Sequence, residues 1–566
     1  MQSCSAKFLF LGLLLTKLSF ARDIPVPPNG SIQDAIDSAA AGDTITLTAG
    51  ATYNGSIVLR NKGVLSNFIT IRSSYSGFQT GIRVSPADAG KMPRLVATPG
   101  AGYQTIQTES GSNHYRLTGL EIVPAPGDYA YDIVRLGLGD ETTLADIPSA
   151  ITLDHVYIHG DPVAGSKRGI AANGAAISIT DSYISGIFST WQDAQAICGW
   201  NGPGPMTITN NYLEASGENI MFGGNAATLP NVVPSNIEIR GNYFHKPEAW
   251  KSQGYVVKNL FEIKNGENIL LEGNIFDNVW GHLQFGTALV LTPRTEGSSM
   301  PWARVSNITF RYNIVRHAGR ILLAAGYDET PGRGTSGNLT IQNNIFESVP
   351  EWGLLLIGPQ GVTIDHNTIL GSRAFLAADI SPTSGLIFTN NIAQYGEYGA
   401  WGSGAGFGVY ALNAYFPGAV FSRNAILDGQ ANESIYPTGN FFPSLAAIGF
   451  TNPAASDYRL AASSPYLASG TDGKAIGADA TTVYNMTANV ITGLTTARPT
   501  SPVQISPCDL NGDAQVNVVD VQSSVNRVLG LLACTNGDID GNGSCNVVDV
   551  QRIVIAVLGG ACTSGS

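Results

Sequence analysis

In the central part of the chain, hydrophobic and polar residues alternate over very short stretches, and each stretch ends in the same way. The pattern is apolar-x-apolar, two polar residues, Asn, x, apolar. It appears as Met206-Thr-Ile-Thr-Asn-Asn211-Tyr-Leu213, Ile237-Glu-Ile-Arg-Gly-Asn242-Tyr-Phe244 and Ile269-Leu-Leu-Glu-Gly-Asn274-Ile-Phe276. Further copies centre on Asn313, Asn344, Asn367, Asn391 and Asn424, and two earlier ones carry Val156 and Ser182 at the Asn position. The spacings run from 23 to 39 residues. Apolar-x-apolar predicts a short strand with one buried face. The Asn falls at the turn that follows, where residues tolerant of the left-handed region are favoured. A repeat this short leaves room for three strands and three turns, so each repeat predicts one coil of a solenoid. Stacking the coils places each Asn above the last and predicts an internal ladder of side-chain amides.

The pattern at the ends predicts closure. Ser31 is placed to cap a helix over Ile32, Ala35, Ile36 and Ala39, stopping near Gly42 and covering the first coil. Residues 457–473 predict irregular closing coils. Residues 484–507, with Pro499, Pro502 and Pro507, predict a linker. Residues 22–483 are thus expected to form one all-β unit, a right-handed parallel β-helix. These segments and coils together resemble secreted proteins of the pectate-lyase-like β-helix superfamily. That resemblance implies work on polysaccharides without naming a reaction.

After the linker the period changes. Two twelve-residue loops place oxygen side chains at positions 1, 3, 5, 9 and 12, the spacing of calcium loops. The first carries Asp509, Asn511, Asp513, Asn517 and Asp520; the second carries Asp538, Asp540, Asn542, Asn546 and Asp549. Each leads into a matching helix, since Val521, Val525, Val528 and Leu529 recur as Val550, Val554, Val557 and Leu558. Pro502 and Pro507 leave no room for a helix entering the first loop. Loop-then-helix, twice, resembles a type I dockerin, so residues 508–562 are expected to be a small helical calcium-binding module. The resemblance implies a cohesin or a cell-surface scaffold as partner. Cys508, Cys534, Cys545 and Cys562 all fall here, and three pairings are open. Cys198, alternating with Ala196, is expected to point into its coil.

Composition narrows the function classes. The net charge of -12 argues against a nucleic-acid partner. Residues 1–21 read as a signal peptide, with Lys7, an apolar run and Ser19-Phe20-Ala21; no other span is long enough for a membrane. A secreted location follows as an expectation.

The chemistry is expected on the outer face of the solenoid. In Val257-Lys-Asn-Leu-Phe-Glu-Ile-Lys264, Phe261 and Ile263 face in, so Lys258, Glu262 and Lys264 face out. Neighbouring coils add Glu218 and Asn219, Asp193 and Gln195, and Arg294. Lysines, an arginine and carboxylates in one groove suit β-elimination on a uronate, where a base takes the proton beside a carboxylate and a cation neutralises that carboxylate. A lysine crowded by other cations has a depressed pKa and suits the base. The segment Lys264-Asn-Gly-Glu-Asn-Ile-Leu-Leu-Glu-Gly-Asn274 resembles the catalytic-lysine region of chondroitinase-B-like and alginate lyases, which implies Lys264 as base. Val257 and Asn259 stand where that family carries calcium-binding glutamates. Gln284 stands near its arginine, for which Arg294 is the substitute. Asp193, Gln195, Glu218, Asn219, Lys258 and Glu262 are then expected to position substrate or an ion. Glycoside hydrolysis on the same fold, with Asp154, Asp161, Asp181 or Asp193, and carbohydrate binding without catalysis remain the alternatives. Trp191, Trp200, Trp250, Trp280 and Trp302 either stack sugars or pack loops. His155 and His159 flank Tyr157 and are expected to be hydrogen-bonding loop residues rather than metal ligands.

Overall fold

The structure, a computed structural model, describes residues 21–100, 102–328 and 333–494. Of the C-terminal region it describes 508, 510, 516, 518–529, 534, 537–557 and 562. Among these residues three sheets of 14, 13 and 13 strands run the length of a solenoid, parallel but for one antiparallel end pair, Gly399–Gly402 with Gly406–Phe407, and each full coil gives one strand to each sheet. We call them the ladder sheet, which precedes the Asn turn, the strap sheet, which follows it, and the groove sheet. Strand pairs keep register from coil to coil. In the ladder sheet Met206, Ile237, Ile269 and Ile308 form one row, and Ile208, Ile239, Leu271 and Phe310 form the next inward row. One continuous apolar core fills the inside, with Phe244 stacked on Phe276 at 4.3 Å. The helix Ile32–Ser38 covers the first coil, and Ser31 Oγ accepts a hydrogen bond from the Asp34 amide at 3.0 Å.

The amide ladder is continuous. Ser182, Asn211, Asn242, Asn274, Asn313, Asn344, Asn367, Asn391 and Asn424 follow one another, and Asn440 ends the row. At each Asn step the backbone and side-chain N–H groups both donate to the next Oδ1; from Asn242 to Asn274 these bonds are 2.8 and 3.1 Å. The left-handed residue, however, is the one before the ladder position. From His155 through Asp181, Asn210, Tyr312 and His366 to Arg423, its φ lies between 50° and 62°. The ladder Asn is therefore selected for its two-sided amide, and the preceding residue makes the bend.

Two expectations for the far end are corrected. Residues 457–473 do not add closing coils, and residues 484–494 are not linker. The chain turns back after the last coil and runs down the outside of the strap sheet. Gly477 N donates to Asn390 O at 2.7 Å, Ala478 N to Thr368 Oγ1 at 3.1 Å and Asp479 N to Asn343 Oδ1 at 3.0 Å. A helix, Ala480–Thr487, follows. Val490 packs on Tyr212, Tyr243 and Ile275, Arg83 bonds the Gly493 and Ile491 carbonyls, and Leu494 pairs with Ile82. The cause is the residue after each ladder position. It faces outward and reads Tyr183, Tyr212, Tyr243, Ile275, Ile314, Ile345, an apolar strip that needs cover. Val490→Ala should lower stability by about 1–2 kcal/mol, read by thermal melting, because Val490 has no exposed surface.

Residues 1–20 of the expected signal peptide, 1–21, and the stretch 495–507 lie outside the described residues. Among the described residues no helix is long and apolar enough to cross a membrane.

Candidate functional site

The groove sheet carries the candidate site on its outer face. Ile220, Phe222, Phe261 and Ile263 turn into the core, which leaves their neighbours outside. One outer row runs Ala171, Cys198, Met221, Glu262, Val290 and Leu323 in register. A second, toward the start of the strands, runs Asp132, Arg168, Gln195 and Glu218. Cys198 therefore faces outward, against the expectation from its alternation with Ala196. It is buried with Ala171, Trp200 and Met221, and burial raises its thiol pKa.

Six of the expected residues converge. Lys258 Nζ is bonded to Asp193 and lies 3.6 Å from Glu218. Gln195 Nε2 donates to Glu218 at 2.8 Å, and Asn259 Nδ2 donates to Glu262 at 2.9 Å. Lys264 Nζ is 3.7 Å from Glu262. The cluster has two layers. The Glu218 and Glu262 side chains are 0% and 5% exposed, whereas Lys258 and Lys264 are each 18% exposed and Asp193 31%. Amines form the surface that a ligand meets, and carboxylates lie beneath them. Burial, reinforced by the charges of Glu262 and Asp193, pushes the Glu218 carboxyl well above the usual carboxylate range. Burial would lower Lys258, but Glu218 and Asp193 outweigh it and hold the ammonium above the ordinary lysine range. The lysines are thus crowded by carboxylates, not by cations as the sequence reading required. Lys258 is a fixed positive charge and unsuited to act as base. Its amine also occupies the space between Asp193 and Glu218, so these groove residues do not fit a calcium site.

Two expected residues stand apart. Asn219 follows Glu218 on its strand and points away from the groove. Its Nδ2 donates to the Leu213 and His245 carbonyls at 2.6 and 3.0 Å. Arg294 is drawn to Asp328 at 2.9 Å, and only its backbone N–H reaches the lysine, donating to Lys264 O at 2.8 Å. Sequence reasoning missed Lys246. Its fully buried ammonium donates to Ala215 O, Gly217 O and Asn219 Oδ1 at 2.7, 2.8 and 3.0 Å, three acceptors for three donors, and clamps the segment that carries Glu218. Burial pulls its pKa down, opposed by Glu218 and Glu214. A lysine in the strap-sheet turn gave no periodic signal.

Next to Asp193 lies an aromatic shelf. Trp191 and Tyr131 are 62% and 46% exposed, and Tyr129 touches both, with centroids 5.4 and 6.1 Å away. Trp200 and Trp302 instead pack, donating to the Gly139 and Val232 carbonyls. His155 lies 3.0 Å from Gln79 O and His159 3.1 Å from Glu121, both tied into the fold; Asp154, His155 and Asp181 do converge, but Asp181 also accepts from the Gly81 amide and from Asn210.

In the C-terminal module, Asp509, Asn511, Asp513 and Asn517 lie outside the described residues. The helices Val518–Val528 and Val547–Val557 are present. The cysteines pair Cys508–Cys562 and Cys534–Cys545. The halves repeat each other: Leu510 N donates to Asp520 at 2.8 Å, and Ile539 N to Asp549 at 2.7 Å. Carboxylate oxygens of Asp538, Asp540 and Asp549 lie within 4.8 Å of one another. Asn542 joins them, bonded to Asp540 at 2.9 Å, and Asn546 turns to the Val548 amide at 2.8 Å. A set of hard oxygens converging in this way fits calcium.

Comparison with known proteins agrees with the fold. The family described as "Right handed beta helix region" matches residues 168–369. No curated protein sequence matches the chain. Solved structures with a similar fold include an alginate lyase from Paenibacillus sp., at 15% identity and TM-score 0.33, covering 68% of this chain and 98% of that one. The catalytic unit of a GH87 alpha-1,3-glucanase from Streptomyces thermodiastaticus aligns at 13% identity and TM-score 0.45, covering 74% and 67%. A PL6 family alginate lyase aligns at 15% identity and TM-score 0.41, covering 81% and 58%. The similar folds thus include both lyases and glucanases.

Proposed function

We propose that this chain is a secreted polysaccharide lyase that cleaves uronate-containing glycans by β-elimination. The observation that carries the reading is the layering of the groove cluster. Lys258 and Lys264 meet the substrate, and Glu218 and Glu262 lie buried beneath them. In this role Lys258, held cationic, binds the uronate carboxylate and stabilises the charge that develops on it. Lys264, 3.7 Å from Glu262, takes the adjacent proton in its neutral form and passes it to the glycosidic oxygen as that C–O bond breaks, while Glu262 holds the amine in place. The shelf of Trp191 and Tyr131 stacks a neighbouring sugar ring.

Hydrolysis requires two carboxylates flanking the scissile bond, one of them protonated. Glu218 has the raised pKa but no exposed surface, and Asp193 is paired with Lys258. That arrangement favours elimination. The test is incubation with acidic and neutral polysaccharides, followed by ultraviolet absorbance of unsaturated uronate and by reducing ends. Both should rise together on a uronate polymer; reducing ends alone would assign a hydrolase.

The C-terminal module we propose to be a calcium-loaded docking module of dockerin type, binding a cohesin-like scaffold. Its two disulfides suit an oxidising, extracellular compartment. Calorimetry on the full chain should detect calcium binding. Asp538→Ala should remove one ion's worth of heat, because an ordered carboxylate cluster depends on the cation to offset its repulsion. An unchanged heat in that variant would defeat the assignment.

A further inference from the structure

Farther along the same edge of the groove sheet, the surface opens into a cleft of about 870 Å³, walled by the loop from Trp280 to Phe285, by residues 317–320, and by Glu248, Ser348, Pro350 and Glu351. Arg320 begins the strand Arg320–Ala325, in register with Thr287 of the preceding strand. It stands three strands beyond Glu218, roughly 14 Å along the stack at about 4.8 Å per strand. The residue is only 9% exposed, and its guanidinium carbon sits 3.7 Å from the centre of the Phe285 ring.

Arg320 lacks an acceptor. Its Nε is buried with no hydrogen-bond partner, and among the described residues no carboxylate stands within ion-pair distance of it. Glu351, whose charge does act on it, is drawn instead to Arg373, 3.8 Å away. Arg168, on the same outer face, has a carboxylate partner and bonds Asp132 at 3.1 Å. A desolvated guanidinium without a partner is costly, so its donors are poised for an acceptor that the chain itself does not supply. Phe285 packs against the guanidinium fork, and both residues line the cleft. A planar carboxylate matches that fork with two parallel hydrogen bonds. Trp280 lines the same cleft, partly buried against the core. Lys251 lies 5.4 Å above the Trp280 ring at the rim and pairs there with Glu248 at 2.7 Å.

We infer that Arg320 and its cleft form a binding subsite for the carboxylate of an acidic sugar, several residues removed from the Lys264 cluster on the same polysaccharide chain. Arg320 grips the carboxylate, and Phe285 supports the guanidinium from one side. This deepens the proposed function and rests on it.

The test is calorimetric titration of the full chain with tetramers of mannuronate, guluronate and galacturonate, each beside its carboxyl-reduced neutral counterpart. The Lys264→Ala chain serves where turnover would consume the ligand. The acidic tetramer of the preferred sugar should bind about 10- to 100-fold more tightly than its neutral counterpart. Arg320→Gln should lower that preference by about tenfold, the remainder coming from Lys258, while leaving the neutral tetramer's affinity and the melting temperature nearly as they were. Arg320→Lys, which keeps the charge but not the fork, should retain part of it. An Arg320→Gln chain with the full preference overturns the subsite, and if that chain's substrate is still cleaved to unsaturated product, the lyase reading survives. If no tetramer, acidic or neutral, is bound or cleaved, both readings fall.

Discussion

Asn274→Ala should cost about 3–5 kcal/mol and lower the melting temperature accordingly, a larger loss than any surface change on the solenoid. Asn274 Oδ1 accepts from the Asn242 amide at 2.8 Å and from Asn242 Nδ2 at 3.1 Å. Its own Nδ2 donates to Ile239 O at 2.8 Å and to Asn313 Oδ1 at 3.0 Å. Alanine removes these bonds together and leaves buried donors and an acceptor unsatisfied, each worth about 1–3 kcal/mol. Water cannot replace the lost partners, because Asn242, Asn274 and Asn313 have no exposed surface. Asn274→Ser should recover part of the loss, since Ser182 fills a ladder position in the natural chain and its hydroxyl donates to Thr180 O at 2.7 Å. Denaturant melts of the three chains measure this. A cost near zero for alanine would show that the ladder is ornamental to stability.

Lys264→Ala should reduce formation of unsaturated uronate by about 10²- to 10⁴-fold, the usual worth of a positioned general base. Stability should fall by no more than about 1 kcal/mol, because the amine is partly exposed and its partner Glu262 keeps a hydrogen bond from Asn259. Lys258→Ala should behave differently. Lys258 carries charge and moves no proton, so its loss should raise KM and also lower kcat where it stabilises the developing carboxylate charge. Initial rates across substrate concentration separate the two roles. Equal activity in Lys264→Ala and the natural chain would remove the proposed base.

Much of the solenoid was legible because its signals are local. A two-residue alternation fixes which side chains enter the core, and the recurring Asn marks each turn, so Phe261 and Ile263 inside and Glu262 and Lys264 outside followed from parity alone. The same parity failed at Cys198, where both Ala196 and Ile197 join the core and the alternation slips by one. It failed for Asn219 for a related reason: adjacency to Glu218 in sequence places it on the opposite side of the strand.

What the sequence by itself determined is therefore the repeat: the coil, the turn, the ladder and the pair of acidic loops, each a contest settled within about thirty residues. Only the tertiary structure decided what depends on stacking distance. It brought Lys258 between Asp193 and Glu218, which are separated from it by 65 and 40 residues. It sent Arg294 to Asp328 rather than into the groove. It also folded residues 477–494 back over the tyrosine and isoleucine strip, although the position after each Asn had already displayed that strip as an apolar column. The physical reason is that a solenoid's inward face is specified within each coil, whereas its outward face acquires partners from coils and segments far away in the chain, and their identity is a matter of packing rather than of period.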